Sequence, residues 1–227
     1  VTKVYGSGDT RVTALDDVDV DFHRGQFTSI MGPSGSGKST MMHVLAGLDN
    51  PTSGAVFIEG QDITAMNDDA LTKLRRERIG FVFQSFNLVP TLDAKSNILL
   101  PMRLSGKRVD VAWLNQVVDI LGLGERLKHR PSEMSGGQQQ RVAVARALVM
   151  KPAVIVADEP TGNLDSHSSD EVLTLLRNAV DQLGQTVIMV THDSASAERG
   201  DRILVVRDGR IVSDFDHPEL EQIAQVH

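Results

Sequence analysis

The chain has 227 residues, 41% hydrophobic and 23% charged, with a formal net charge of −7 at pH 7. That composition suits one globular domain, and the acidic balance argues against a sequence-independent grip on nucleic acid, which needs a basic face. There are no cysteines, which excludes disulfides and cysteine-ligated metals; no apolar run approaches the ~20 residues that span a bilayer, and no signal-peptide pattern opens the chain.

The chain opens on Val1 rather than a methionine, which leaves room for residues upstream. Residues 1–21 read as extended segments with turns at Gly6-Ser7-Gly8-Asp9, and the alternation in Val18-Asp19-Val20-Asp21-Phe22 predicts a half-buried strand. The apolar run Phe27-Thr28-Ser29-Ile30-Met31 predicts a strand and Met41-Met42-His43-Val44-Leu45 a helix. Val56-Phe57-Ile58 with Glu59-Gly60 reads as a strand and turn, residues 71–78 as a charged helix, and residues 79–83 as a short buried strand ending at Gln84. Between residues 85 and 150 the spacing turns helical, at residues 111–121 and 138–149, which predicts a helical insertion. Strands return at residues 153–157, 186–190 and 203–206, with a helix over 168–182 and a hairpin turn at Asp208-Gly209. Strands alternating with helices predict a parallel sheet covered on both faces.

Three segments carry chemistry. Gly32-Pro33-Ser34-Gly35-Ser36-Gly37-Lys38-Ser39-Thr40 reads G-x-x-x-x-G-K-S between a strand and a helix, the context that makes the pattern a phosphate site. Glycines let backbone N–H groups converge on a polyphosphate, and the helix points its positive end at it. Lys38 is placed to reach the β/γ-phosphates and the Ser39 hydroxyl to bind Mg²⁺. The second segment, Val154-Ile155-Val156-Ala157-Asp158-Glu159, is an apolar strand ending in carboxylates. Asp158 is a candidate Mg²⁺ ligand and Glu159 a candidate general base; a strand that merely ends in acidic residues would look the same. The third, Ser135-Gly136-Gly137-Gln138, stands before a helical run and forms a second anion-binding helix end, or a plain N-cap with glycines.

In this order the motifs resemble those of the nucleotide-binding subunit of an ATP-binding cassette (ABC) transporter, over essentially the whole chain. Gly32 to Thr40 resembles the Walker A loop, Val154 to Glu159 Walker B, and Met134-Ser135-Gly136-Gly137-Gln138 the L-S-G-G-Q signature with methionine for leucine. The resemblance implies an α/β P-loop NTPase (RecA-like) core with a mainly parallel sheet, an N-terminal antiparallel β subdomain and an inserted α-helical subdomain. Residues 1–84 and 151–227 would form the core and residues 85–150 the helical, signature-bearing part. It further implies Gln84 as a glutamine that binds Mg²⁺ and senses the γ-phosphate, and His192, in Val190-Thr191-His192-Asp193, as a switch histidine holding the attacking water and Glu159. Asn163-Leu164-Asp165 resembles the loop that bridges to an opposing subunit, although alone it is only a helix-start signal. Tyr5 matches the aromatic that stacks on adenine; a surface or core ring is the other reading.

The implied ligands are ATP and Mg²⁺, and the implied assembly is a head-to-tail homodimer at the cytoplasmic face of the membrane. Each nucleotide would lie between Lys38 of one subunit and Ser135-Gly136-Gly137 of the other. A separate permease would dock near residues 85–104, where Phe86, Leu88, Val89, Leu92, Ile98, Leu99 and Leu100 are many apolar residues for a loop-rich segment: some belong to the core, and an exposed remainder would suit the permease. Ile30-Met31-Gly32-Pro33-Ser34-Gly35, Ile79-Gly80-Phe81-Val82-Phe83-Gln84, Phe86-Asn87-Leu88-Val89-Pro90 and Pro160-Thr161-Gly162-Asn163-Leu164-Asp165 resemble the macrolide-exporter, lipoprotein-releasing and cell-division group. That implies export or extraction work, or alternatively mechanical regulation of an envelope complex without transport.

Overall fold

A computed structural model describes residues 1–216; the end of the range 151–227 lies outside the described residues. The elements run β1 (Lys3–Tyr5), β2 (Val12–Leu15), β3 (Phe27–Met31), α1 (Lys38–Leu45), β4 (Phe57–Ile58), β5 (Gln61–Asp62), α2 (Asp68–Arg78) and β6 (Ile79–Phe83). They continue as α3 (Ala94–Ile98), α4 (Leu100–Ser105), α5 (Val111–Ile120), α6 (Gly136–Leu148), β7 (Val154–Asp158), α7 (Ser166–Leu183), β8 (Val187–Val190), α8 (Ser194–Ala197), β9 (Arg202–Arg207) and β10 (Arg210–Asp216). The central six strands lie in the order β10-β9-β3-β8-β7-β6. All neighbours are parallel except the β9–β10 hairpin, whose turn falls at Asp208-Gly209, both at positive φ.

The inner strands of the sheet are buried on both faces, which is why they are largely apolar runs, whereas the edge strand β10 alternates. All five residues of β3 are buried. Successive side chains leave a strand on opposite faces. Ile155, Ala157, Val187 and Met189 therefore enter one core with α6 and α7 residues such as Val144, Leu148, Val172 and Leu176. Val156, Ile188 and Val190 enter the other with Met41, Met42 and Val44 of α1. α6 lies directly on β6: a Cβ on Gly80 would stand 2.8 Å from the Ala147 carbonyl oxygen.

One expected strand is absent. Residues 18–22 keep their alternation, with Val18 buried and Asp19 and Asp21 exposed, but pair with no strand. Their backbone is held piecemeal, by Val18 N–H on the Val1 carbonyl and by Arg202 Nη1 on the Asp21 carbonyl. With β4 they line a cleft of about 580 Å³ behind α1. Alternation reports which side of a segment is buried and is silent on whether a neighbour completes the ladder. The antiparallel part is accordingly two small hairpins, β1–β2 and β4–β5. No described helix is long and apolar enough to cross a membrane.

Candidate nucleotide site

β3 delivers the chain into the glycine loop and α1 takes it away. Gly32, Gly35 and Gly37 have φ of 151°, 79° and 105°, the left-handed region that side chains resist. At Gly37 the demand is also steric, because a Cβ there would stand well inside van der Waals contact with the Ala14 carbonyl. Gly209, in the β9–β10 turn, braces the loop from behind by donating its N–H to the Ser36 carbonyl at 2.8 Å. Gly37 caps α1 with no side-chain hydrogen bond, so the first-turn N–H groups face outward without a side-chain acceptor. Lys38, 8% exposed, donates from Nζ to the Gly32 and Pro33 carbonyls, both at 2.8 Å. Burial draws its ammonium below the ordinary lysine value, against the pull of the Glu159 and Asp158 charges. The Ser36 hydroxyl is buried without a partner, while Pro33, Ser34, Gly35 and Ser39 are exposed and Thr40 is half-buried. The result is a ring of outward donors around one lysine, chemistry suited to a polyphosphate.

β7 ends across from this loop. Burial pushes the Asp158 carboxyl above the usual carboxylate range; Glu159 adds to the shift, and His43 and Lys38 oppose it. Glu159 adopts φ 46° and is pinned by its N–H to the Val190 carbonyl at 2.9 Å. His192, just past β8, places Nδ1 2.8 Å from Glu159 Oε1. The positive φ turns Glu159 out of the strand direction toward His192, which the sequence pattern does not announce. Among the described residues no three His, Cys, Asp or Glu side chains form a metal cage. A cation here would rest on a hydroxyl, one carboxylate and phosphate oxygens, a donor set that suits Mg²⁺.

Gln84 lies at the adjacent edge, one residue beyond β6. Its Nε2 donates to Asn163 Oδ1 at 3.0 Å, and a Cβ on Gly162 would come within 2.7 Å of that same nitrogen. Gln140, fully buried, was missed by sequence reasoning; its Nε2 donates to the Phe83 carbonyl at 3.2 Å and the Pro160 carbonyl at 2.6 Å. It ties the end of β6 to the end of β7. Its neighbours Gln138, Gln139 and Arg141 are polar as well, so nothing local marks it out.

Ser135 caps α6 in a full capping box: its Oγ accepts from Gln138 N–H at 3.3 Å, and Gln138 Oε1 accepts from Ser135 N–H at 3.1 Å. Gly136 and Gly137 serve close packing. Cβ atoms on them would stand 3.2 Å from Leu164 Cδ2 and 3.1 Å from the Ser168 side chain. Asp165 is the N-cap of α7, accepting from Ser168 N–H and Oγ. This end of α6 belongs to a different surface from the Lys38 loop within one chain; Ser135, Gly137 and Gln138 line their own shallow hollow with Gly124 and Arg141.

Tyr5 is 41% exposed, its hydroxyl donates to Asp49 at 2.6 Å, and Lys3 Nζ lies 4.7 Å from the ring centre. Its hydroxyl also interacts with Thr40 at the end of the glycine loop, so the ring stands beside the site. Of the apolar residues in 85–104, Ile98 and Leu99 are core and Leu104 is exposed, while Phe86, Leu88, Val89, Leu92 and Leu100 are half-buried. The apolar segment turns inward because Asn97, itself fully buried, binds the Val89, Leu92 and Asp93 carbonyls and folds the loop onto α3. A groove of about 510 Å³ does open beside it, along β6, lined by Leu48, Phe81, Phe83, Arg75, Arg146 and Met150.

A family model described as ABC transporter matches residues 15–162. The chain is 49% identical over 219 residues to a macrolide export ATP-binding/permease protein of Hyphomonas neptunium, covering 94% of this chain and 33% of that one. It is 46% identical to an uncharacterized ABC transporter ATP-binding protein of Thermotoga maritima, covering 93% and 91% of the two chains. The dimeric structure of a post-hydrolysis state of the ATP-binding cassette MJ0796 bound to ADP and Pi superposes with a TM-score of 0.84 at 41% identity, over 97% of both chains. The chain thus spans about a third of the length of the macrolide-export relatives it matches.

Proposed function

The chain belongs to the ABC transporter family, and from that premise we propose that it is the ATP-hydrolysing cassette of an export or extraction machine, closing on ATP as a head-to-tail pair. The observation that carries this reading is the pairing of two elements across one site. One is the uncapped start of α1 around Lys38; the other is the Asp158–Glu159–His192 end of β7 and β8.

The glycine-loop N–H groups and Lys38 bind the phosphates, and Lys38 exchanges its two carbonyl partners for phosphate oxygens. Ser39, Asp158 and Gln84 would hold Mg²⁺, which when bound neutralises charge on the β- and γ-phosphates. Glu159, held toward its task by His192, takes a proton from the attacking water as that water adds to the γ-phosphorus and the bond to ADP breaks. Tyr5 offers its exposed ring to the adenine. Ser135, Gly136 and Gly137 of a second copy complete the site over the γ-phosphate, and hydrolysis removes the contacts that keep the pair closed. Residues 85–150 act as the helical part that moves with closure. Motion reaches a permease, at the cytoplasmic membrane face, through the groove along β6. The macrolide-export relatives favour transport over the alternative of a mechanical regulator of an envelope complex.

The test is ATP turnover with Mg²⁺. Glu159→Gln is expected to lose on the order of a hundredfold or more in rate while still binding ATP. Wild-type turnover by that variant would remove Glu159 from the chemistry.

A further inference from the structure

Two cross-links join the loops that leave β6 and β7, and they differ in burial. The inner one is Gln140, which clamps the Phe83 and Pro160 carbonyls in the core. The outer one is a reciprocal amide pair in exposed positions: Gln84 Nε2 donates to Asn163 Oδ1 at 3.0 Å, and Asn163 Nδ2 donates to the Gln84 carbonyl at 3.2 Å. Gly162 makes room for it, since the Gln84 side chain occupies the space a Cβ would need. The register of β6 on β7, with Phe83 opposite Asp158, sets these loops side by side at the edge where the nucleotide site opens.

We propose that Asn163 is a latch: it holds the Gln84 side chain against the Gly162–Asn163 turn in the nucleotide-free protein, and ATP must break that pair before Gln84 can face the γ-phosphate and its cation. The inference rests on the reading of Gln84 given above and adds a positioning residue to it. The inner clamp keeps both loops in place throughout, so releasing the latch frees a side chain without unfolding a loop. An exposed, neutral pair of hydrogen bonds is weak enough to yield to a charged ligand and strong enough to set a resting state. The latch predicts discrimination, because ADP offers no γ-phosphate for Gln84 to reach and has no reason to break it.

The experiment is calorimetric titration of ATP with Mg²⁺, and of ADP without added cation so that Gln84 has neither γ-phosphate nor Mg²⁺ to reach, into chains carrying Glu159→Gln so that ATP survives. The set comprises the parent, Asn163→Ala, Gln84→Ala and the double variant. Asn163→Ala is expected to tighten ATP by about three- to tenfold and leave ADP unchanged. In the Gln84→Ala background it is expected to do nothing. Asn163→Asp keeps the acceptor and loses the donor, and should fall between. Equal shifts for ATP and ADP, or an effect that persists without the Gln84 amide, would each overturn the latch. Failure of the parent to bind ATP at all would instead sink the nucleotide-site reading beneath it.

Discussion

The starts of α1 and α6 are both glycine-rich helix N-termini, and they are built on opposite principles. α1 begins at Gly37 with no side-chain cap, from a loop whose glycines sit at positive φ. α6 begins at Ser135 with a complete capping box, and Gly136 and Gly137 are absent from the positive-φ residues. The first uses glycine for backbone shape and leaves its donors outward. The second uses glycine for clearance against Leu164 and Ser168 and spends the Gln138 N–H on its own cap. Two helix starts that look alike in sequence are thus unequal: on the function proposed above, one takes a phosphate as it stands, and the other would trade part of its internal cap for a ligand.

The contrast breaks if equivalent substitutions behave alike. Gly37→Ala sets a side chain against the Ala14 carbonyl at φ 105°, which is expected to cost about 3 kcal/mol and cripple ATP binding. Gly136→Ala meets the movable tip of Leu164 at 3.2 Å and the Phe86 ring edge at an ordinary 3.6 Å, and the cost should stay within about 1 kcal/mol. Thermal melts of the two variants decide, and equal losses would erase the distinction.

Asp158→Asn sharpens the α1 side. The carboxyl is raised by burial, so the folded protein binds a proton more readily than the unfolded chain. The charged form therefore costs stability above the carboxylate range, and that cost vanishes as pH falls through it. Without nucleotide, Asp158→Asn should melt higher than wild type at neutral pH, with the gap closing toward about pH 4. It should also lose the Mg²⁺-dependent part of the stabilisation by ATP. A variant less stable at neutral pH would contradict the account. Ser135→Ala removes the α6 cap at about 1 kcal/mol and should leave the ATP affinity of a lone chain unchanged, as titration would show.

The glycine loop and β7 were legible in the sequence because their signals are local: a spacing of glycines and lysine, and an apolar run ending in acid. Period and run length also placed α2, α5, α6 and α7 to within a few residues. What escaped depends on distant partners. Residues 18–22 alternate like a strand yet have no ladder. Phe86 and Asn87 take positive φ where the half-buried Arg146, 60 and 59 positions away, holds their carbonyls. Gln140 and Asn163 gain meaning only once β6 and β7 are neighbours. The sequence points Gly136 and Gly137 toward a ligand or a plain N-cap, and their tight packing on Leu164 and Ser168 emerges only in three dimensions.

The central claim is that α1 of one copy and α6 of another share one nucleotide. It is tested most directly by light scattering of Glu159→Gln chains with ATP and Mg²⁺, alone and with Ser135→Arg added. The account predicts a dimer in the first case, and in the second a monomer that still binds ATP. A Glu159→Gln chain that stays monomeric at saturating ATP, or a dimer indifferent to Ser135→Arg, would contradict it.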